Sequence, residues 1–162
     1  MKIAVISDTH LREPDKRLTE VFNTYLADAD LLLHCGDMVS FSVWQFFCQH
    51  PNFHAALGNC DEWRLSDYLQ PMQSVSFNGL SIGIAHGWGS RSRVAANVAD
   101  NFGPSFDLVC YGHTHMRDWA IRSGVQMLNP GSMTSPRDEF RPGFAFVEVD
   151  DEQNMECSFV DL

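Results

Sequence analysis

KIAVISDTH, Lys2 to His10, is the stretch on which the fold turns. Lys2 to Ile6 are β-branched and alternate little, the pattern of a strand covered on both faces, as in sheets flanked by helices. The run ends abruptly on Ser7-Asp8-Thr9-His10, where two of the four side chains are metal-binding types. In open α/β sheets the crevice beyond the carboxyl ends of the strands is where ligands collect, so polar groups at that end invite a search for others like them.

The search succeeds along the whole chain. Leu31 to Leu33 form a second short strand ending in HCGD, and Phe53 to Leu57 a third ending in GNCD. Asn78-Gly79 sits between Val75–Phe77 and Leu80–Ala85, a strong hairpin signal, and the second arm ends in HGWG. Leu108 to Tyr111 lead into GHTH. Helices are expected where apolar residues recur at helical spacing: Leu18, Val21, Phe22, Tyr25 and Leu26; Val43 to Phe47, capped by Ser40 or Ser42; and Ser92 to Phe102, closed by Gly103. Glu62 to Gln70 reads as a helix or a long loop. Trp119–Ile121 and Val125–Leu128 pair around Ser123-Gly124, Asn129 to Pro142 is the most loop-like stretch, and Gly143–Val149 and Cys157–Val160 complete a largely β C-terminal third. The fold class is α/β, and residues 1–162 are expected to form one domain.

Bulk properties narrow the chemistry. The chain has 162 residues, 44% of them hydrophobic, and no apolar run near the roughly 20 residues of a membrane span. The first residues read as a strand rather than a signal peptide. Five cysteines, odd in number and without a CxxC pair, point to a reducing compartment, read as cytoplasm. A formal charge of −10 without a Lys/Arg block argues against a broad duplex nucleic-acid footprint. A homo-oligomer is compatible with this composition.

Asp8, His10, Asp37, Asn59, His86, His113 and His115 are therefore the candidate metal ligands, one or two after each of five strands. Each motif alone has an ordinary reading: a capping aspartate, a glycine-containing turn, a buried histidine. Their order and common placement favour one site. Residues i and i+2 of an extended segment lie roughly 6.6–6.8 Å apart on one face. Two cations roughly 3.5–4 Å apart, each with a ligand nitrogen near about 2.1 Å, span a similar distance, so His113 and His115 suit different ions, although one ion held by both also fits. Oxygen and nitrogen donors without thiolate favour Mn²⁺, Fe²⁺, Zn²⁺ or a similar ion. Seven donors exceed the needs of one four-coordinate ion and suit two that share a carboxylate.

The ordered series DTH, GD, GNCD, HG and GHTH resembles the calcineurin-like metallophosphoesterase superfamily, in particular its small bacterial and archaeal phosphodiesterase branch, over essentially the whole chain. The resemblance implies two packed mixed β-sheets flanked by helices, an αββα sandwich. It implies one ion held by Asp8, His10, Asp37 and His115 and another by Asp37, Asn59, His86 and His113, with Mn²⁺ the first choice and Fe, Zn or Ni the alternatives. The implied function is hydrolysis of a small phosphoester, a phosphodiester first, by a hydroxide bridging the metals; Asp37, Asn59 and His113 carry the catalytic role. A phosphomonoesterase is the alternative, and a non-catalytic scaffold like the retromer subunit of this fold is a distant third. Cys60 stands where many relatives have a histidine able to assist the leaving group, and Trp88 where many have a second histidine. Both are candidate substrate contacts, as are Arg137 and Arg141 in NPGSMTSPRDEFRPG, a loop similar to the family's NPGS segment; Arg91 and Arg93 read as solvated. Asp61 is either a positioning group for Asn59 or Cys60 or a structural cap. His34 reads as a buried, hydrogen-bonded histidine, and His50 and His54 carry no signal.

Overall fold

Strand β1 (Lys2–Ile6) is paired on both edges and covered on both faces in the computed structural model, which describes residues 1–162. It pairs in parallel with β2 (Leu31–His34), which pairs in parallel with β3 (Phe53–Ala55). Its other edge meets β9 (Gly143–Val149) antiparallel, and β10 (Met155–Asp161) closes that five-stranded sheet in the order β10-β9-β1-β2-β3. The second five-stranded sheet runs β4 (Met72–Phe77), β5 (Leu80–Ala85), β6 (Leu108–Tyr111), β8 (Val125–Pro130), β7 (Arg117–Arg122), with β5, β6 and β8 parallel. Both sheets are mixed, as the resemblance implies.

The period of two assigns the layers. Ile3, Val5, Leu31 and Leu33 face Ile82, Ile84, Leu108 and Cys110 of the other sheet. Ala4, Ile6 and Leu32 point the opposite way, toward helices α1 (Lys16–Val21) and α2 (Phe41–Phe47). Ala85, Val109 and Tyr111 cover α3 (Arg91–Phe102). Each fully buried Ile, Leu or Val contributes about 1.5–3 kcal/mol, so this double-sided burial is why the β1 sequence needs no polar alternation.

Several element bounds differ from the sequence reading. The first helix widens after Val21 into a π-helical turn, Phe22–Leu26, with the Ala27 amide bonded to the Phe22 carbonyl, 2.9 Å, so that Phe22 and Leu26 both reach the core. Ser40, not Ser42, caps α2. Glu62 to Gln70 contains a short 3₁₀ helix, Trp63–Asp67. Strand β8 runs on through Asn129 and Pro130, residues assigned above to a loop, because Arg117 and Asp118 of β7 pair with them. All five cysteines are free, and no helix is long and apolar enough to cross a membrane.

His34, at the end of β2, is fully buried as expected; its Nε2 lies 3.2 Å from Thr9 Oγ1 and its Nδ1 accepts from the Gly36 amide at 3.1 Å. Burial pushes its pKa down to about 3. Below about pH 6.5 the unfolded chain takes up a proton that the folded chain refuses, so this histidine's contribution to stability is complete above that pH and erodes as pH falls toward 3. The erosion is about 1.4 kcal/mol per pH unit. His10 and His86, whose pKa values are raised, act in the opposite sense. The diagnostic is therefore a comparison of metal-free parent with His34→Gln in urea unfolding between pH 6.5 and 5: the parent's stability should fall more steeply by about 2 kcal/mol over that interval.

Candidate metal centre

The parallel strands of both sheets end on one side of the sandwich, and the loops that follow are stitched together by backbone. The Asp8 amide bonds to the Gly36 carbonyl and the His10 amide to the Asp37 carbonyl, each at 3.1 Å; the Gly112 amide bonds to the His86 carbonyl, also 3.1 Å. Other bonds cross between the sheets, among them those from His86 Nδ1 to the Cys35 carbonyl at 2.8 Å and from the His113 amide to Asp8 Oδ2 at 3.1 Å. The approach is close enough that a Cβ on Gly112 would stand 2.1 Å from Ser7 Oγ, and one on Gly58 2.2 Å from the Asp37 amide. Those two glycines let the loops of four strands touch.

Seven donor atoms converge in two groups that share one oxygen. In the first, Asp8 Oδ1 lies 3.1 Å from His115 Nε2 and 3.7 Å from His10 Nε2; the two imidazole nitrogens are 3.3 Å apart, and Asp37 Oδ2 is 3.6 Å from His10 Nε2. In the second, the same Asp37 Oδ2 lies 3.3 Å from His86 Nε2, which is 3.1 Å from Asn59 Oδ1 and 3.3 Å from His113 Nδ1; Asn59 Oδ1 and His113 Nδ1 are 2.9 Å apart. Every sequence-predicted ligand is present in the cluster.

The backbone that achieves this is not extended. Asp8, His10, Asp37, His113 and His115 all have left-handed φ, between 46° and 68°. Strand β6 stops at Tyr111, and GHTH coils instead of continuing it. The strand spacing applied above to His113 and His115 is therefore corrected: they reach different groups because each sits in its own left-handed turn, an arrangement costing roughly 1–2 kcal/mol per residue. Surrounding hydrogen bonds hold the turns in place. Asn129 Nδ2, fully buried, donates to the Gly112 carbonyl at 2.9 Å and to Thr114 Oγ1 at 3.0 Å, and Ser132 Oγ donates to the Asp8 carbonyl at 2.8 Å. Neither these contacts of the NPGS segment nor that of Ser7 is legible in the sequence beyond one signal, polarity directly beside buried strand ends.

The side chains fit divalent cations. Donors held about 2.0–2.2 Å from one ion stand roughly 3–3.6 Å from each other, which matches both groups. Each carboxylate spends one oxygen on the protein and turns the other inward: Asp8 Oδ2 accepts from Ser7 Oγ at 2.6 Å and Asp37 Oδ1 from the Cys60 amide at 2.7 Å. Asp8 Oδ1 is buried with no hydrogen-bond partner, an orphan acceptor that a cation would satisfy. His86 and His115 direct Nδ1 at the carbonyls of Cys35 (2.8 Å) and Ser135 (2.7 Å), which fixes the tautomer with a lone pair on the inward Nε2. Burial raises the Asp8 carboxyl, but His10, His115 and His86 outweigh it and hold it well below the carboxylate range. Burial opposes His86 and Cys60 in the same way at Asp37, which ends at about 2. Both are carboxylates at neutral pH.

The remaining candidates divide. Cys60 Sγ lies within 4.8 Å of ligand atoms of His10 and Asp37, and its thiol is pushed up to about 11 by burial, then by Asp37. Trp88 is 39% exposed beside His86 and Asn59. Arg137 is tied to His115 through its backbone at 2.9 Å but its side chain is exposed, as is that of Arg141; neither guanidinium makes a polar contact with the cluster. Arg91 and Arg93 are exposed on α3. Asp61 is the structural cap: its carboxylate accepts from the amides of Gly58 and Val39 at 2.6 Å each and Asp37 at 3.3 Å. Asp61→Ala should therefore loosen the turn carrying Asp37 and lower metal affinity or activity by about 10–100-fold, read by metal titration with the far-UV spectrum unchanged.

The family model for the calcineurin-like phosphoesterase superfamily domain matches residues 1–152. Phosphodiesterase MJ0936 of Methanocaldococcus jannaschii is 33% identical over 144 residues, 81% of this chain and 83% of that protein. Among solved structures, one described as a novel archaeal phosphodiesterase superposes with a TM-score of 0.71 at 26% identity, covering 99% of this chain and 100% of the other. Vps29 of Chaetomium thermophilum superposes with a TM-score of 0.70 at 19% identity, covering 99% and 96%, a likeness of fold.

Proposed function

Because the chain belongs to the calcineurin-like phosphoesterase superfamily, we propose that it is a phosphodiesterase whose two divalent cations are held by Asp8, His10, Asp37 and His115 and by Asp37, Asn59, His86 and His113. The observation that carries this reading is the pair of donor groups meeting at Asp37 Oδ2, with the orphan oxygen of Asp8 in one of them. When bound, the cations supply positive charge for phosphoryl oxygens and a lowered pKa for the attacking water.

The chain's own residues prepare for that chemistry. The carboxylates of Asp8 and Asp37 stay ionised and offset the net charge of two ions. The Cys35 and Ser135 carbonyls keep the imidazole lone pairs of His86 and His115 facing inward, and the left-handed turns set the ligands before substrate arrives. Oxygen and nitrogen donors make Mn²⁺ the first metal to test, with Fe²⁺, Zn²⁺ and Ni²⁺ after it. Membership of a phosphoesterase family supports a small phosphoester as substrate, the acidic chain argues against a broad duplex nucleic-acid footprint, and five free cysteines fit a reducing, cytoplasmic setting.

The test is hydrolysis of bis-p-nitrophenyl phosphate by chelated protein resupplied with Mn²⁺, beside p-nitrophenyl phosphate. Activity that returns with metal and is greater on the diester supports the proposal; a greater rate on the monoester favours the phosphomonoesterase. Equal inertness of loaded and chelated protein, with no second ion bound, overturns it. The likeness to Vps29 raises the scaffold reading, against which stands the complete donor set.

A further inference from the structure

Beside the second donor group the surface opens into a cleft of about 330 Å³. Asn59 and His86 line it together with Leu57, Pro71 and Trp88, and no Lys, Arg, Asp or Glu is among the lining residues. The walls are held rather than loose. The Leu57 amide bonds to the Gln70 carbonyl at 2.9 Å, which ties the β3 end to the segment before Pro71, and Asn97 Nδ2 of α3 donates to the Trp88 carbonyl at 3.0 Å. Trp88, 39% exposed, thus lines the same cleft as Asn59 and His86, two donors of the proposed metal centre.

We propose that this cleft is the subsite for one organic group of the phosphoester, and that it selects an uncharged planar ring, as in an aryl or nucleoside ester. This assignment rests on the phosphoesterase reading above and deepens it. A phosphoryl group held at the donor cluster has the cleft as its adjoining recess, and the recess is large enough for one ring system. Indole, proline and leucine surfaces favour a flat apolar group, stacked on Trp88 and desolvated against Pro71 and Leu57. The absence of Lys and Arg from the lining argues that the group carries no second phosphate. Trp88 is accordingly a specificity-determining residue and not a metal ligand.

Phenylphosphonate and methylphosphonate separate the effects, since both present the same phosphonate on a non-hydrolysable P–C bond. Calorimetric titration into the Mn²⁺-loaded protein should show phenylphosphonate binding about tenfold more tightly, the return expected for burying one ring. In Trp88→Ala the preference should shrink to within about twofold, and Trp88→Phe, which keeps an aromatic face, should retain most of it. Equal affinities in the parent protein, or a preference that survives Trp88→Ala, overturn the cleft assignment and leave the phosphoesterase reading standing. Binding of neither phosphonate overturns both.

Discussion

Asp37→Asn is expected to lower kcat/KM on bis-p-nitrophenyl phosphate by about 10³-fold or more and to reduce the metal content from two ions to one at most. Asp37 is the only side chain in both donor groups: its Oδ2 lies 3.6 Å from His10 Nε2 and 3.3 Å from His86 Nε2. The amide preserves the shape and the acceptor that receives the Cys60 N–H, so the fold should persist. What it loses is the charge that lets two cations sit close together. Elemental analysis of dialysed protein, alongside unfolding curves, separates loss of metal from loss of fold. A variant that keeps two ions and parental activity would remove the bridging role from Asp37.

A second large effect concerns the leaving group. Diesters of poorly acidic alcohols should be hydrolysed about 10²–10⁴-fold more slowly than p-nitrophenyl esters, the range a missing general acid accounts for. Cys60, which lies within 4.8 Å of ligand atoms of His10 and Asp37, is the residue that the resemblance puts where such an acid would act, yet its thiol, pushed up to about 11 by burial and the neighbouring Asp37, is mismatched to neutral pH. Substituting Cys60→His should recover part of that range on alkyl esters and leave p-nitrophenyl rates within about threefold, because a good leaving group departs unaided. Plotting rate against leaving-group pKa for both proteins checks this. Identical slopes would show that Cys60 stands outside proton transfer.

Much of this is legible in the amino-acid sequence. Lys2–Ile6 could be read as doubly buried because apolar residues fill both parities of the strand, and tertiary structure uses both, Ile3 and Val5 against one layer and Ala4 and Ile6 against another. The candidate ligands were legible as a set because each follows a strand, and parallel strands of a sheet end on the same side. His34 was legible as a buried, hydrogen-bonded histidine, but its place inside β2, which the sequence reading ended at Leu33, came only from the structure.

The sequence by itself determined the identity and order of the seven donors, the two kinds of layer and the end of the sheets at which chemistry collects. Spacing alone left open how the donors divide, which the resemblance implied and the tertiary structure shows as distances, with His10 meeting His115 across 105 positions of chain. Only the tertiary structure decided which carboxylate oxygen faces inward, that Asp61 braces backbone amides, and that Trp88 and Pro71 enclose a cleft. The physical reason is range. Periodicity records what one element buries, whereas the left-handed turns at Asp8, Asp37, His113 and His115 are held by hydrogen bonds and packing from other strands.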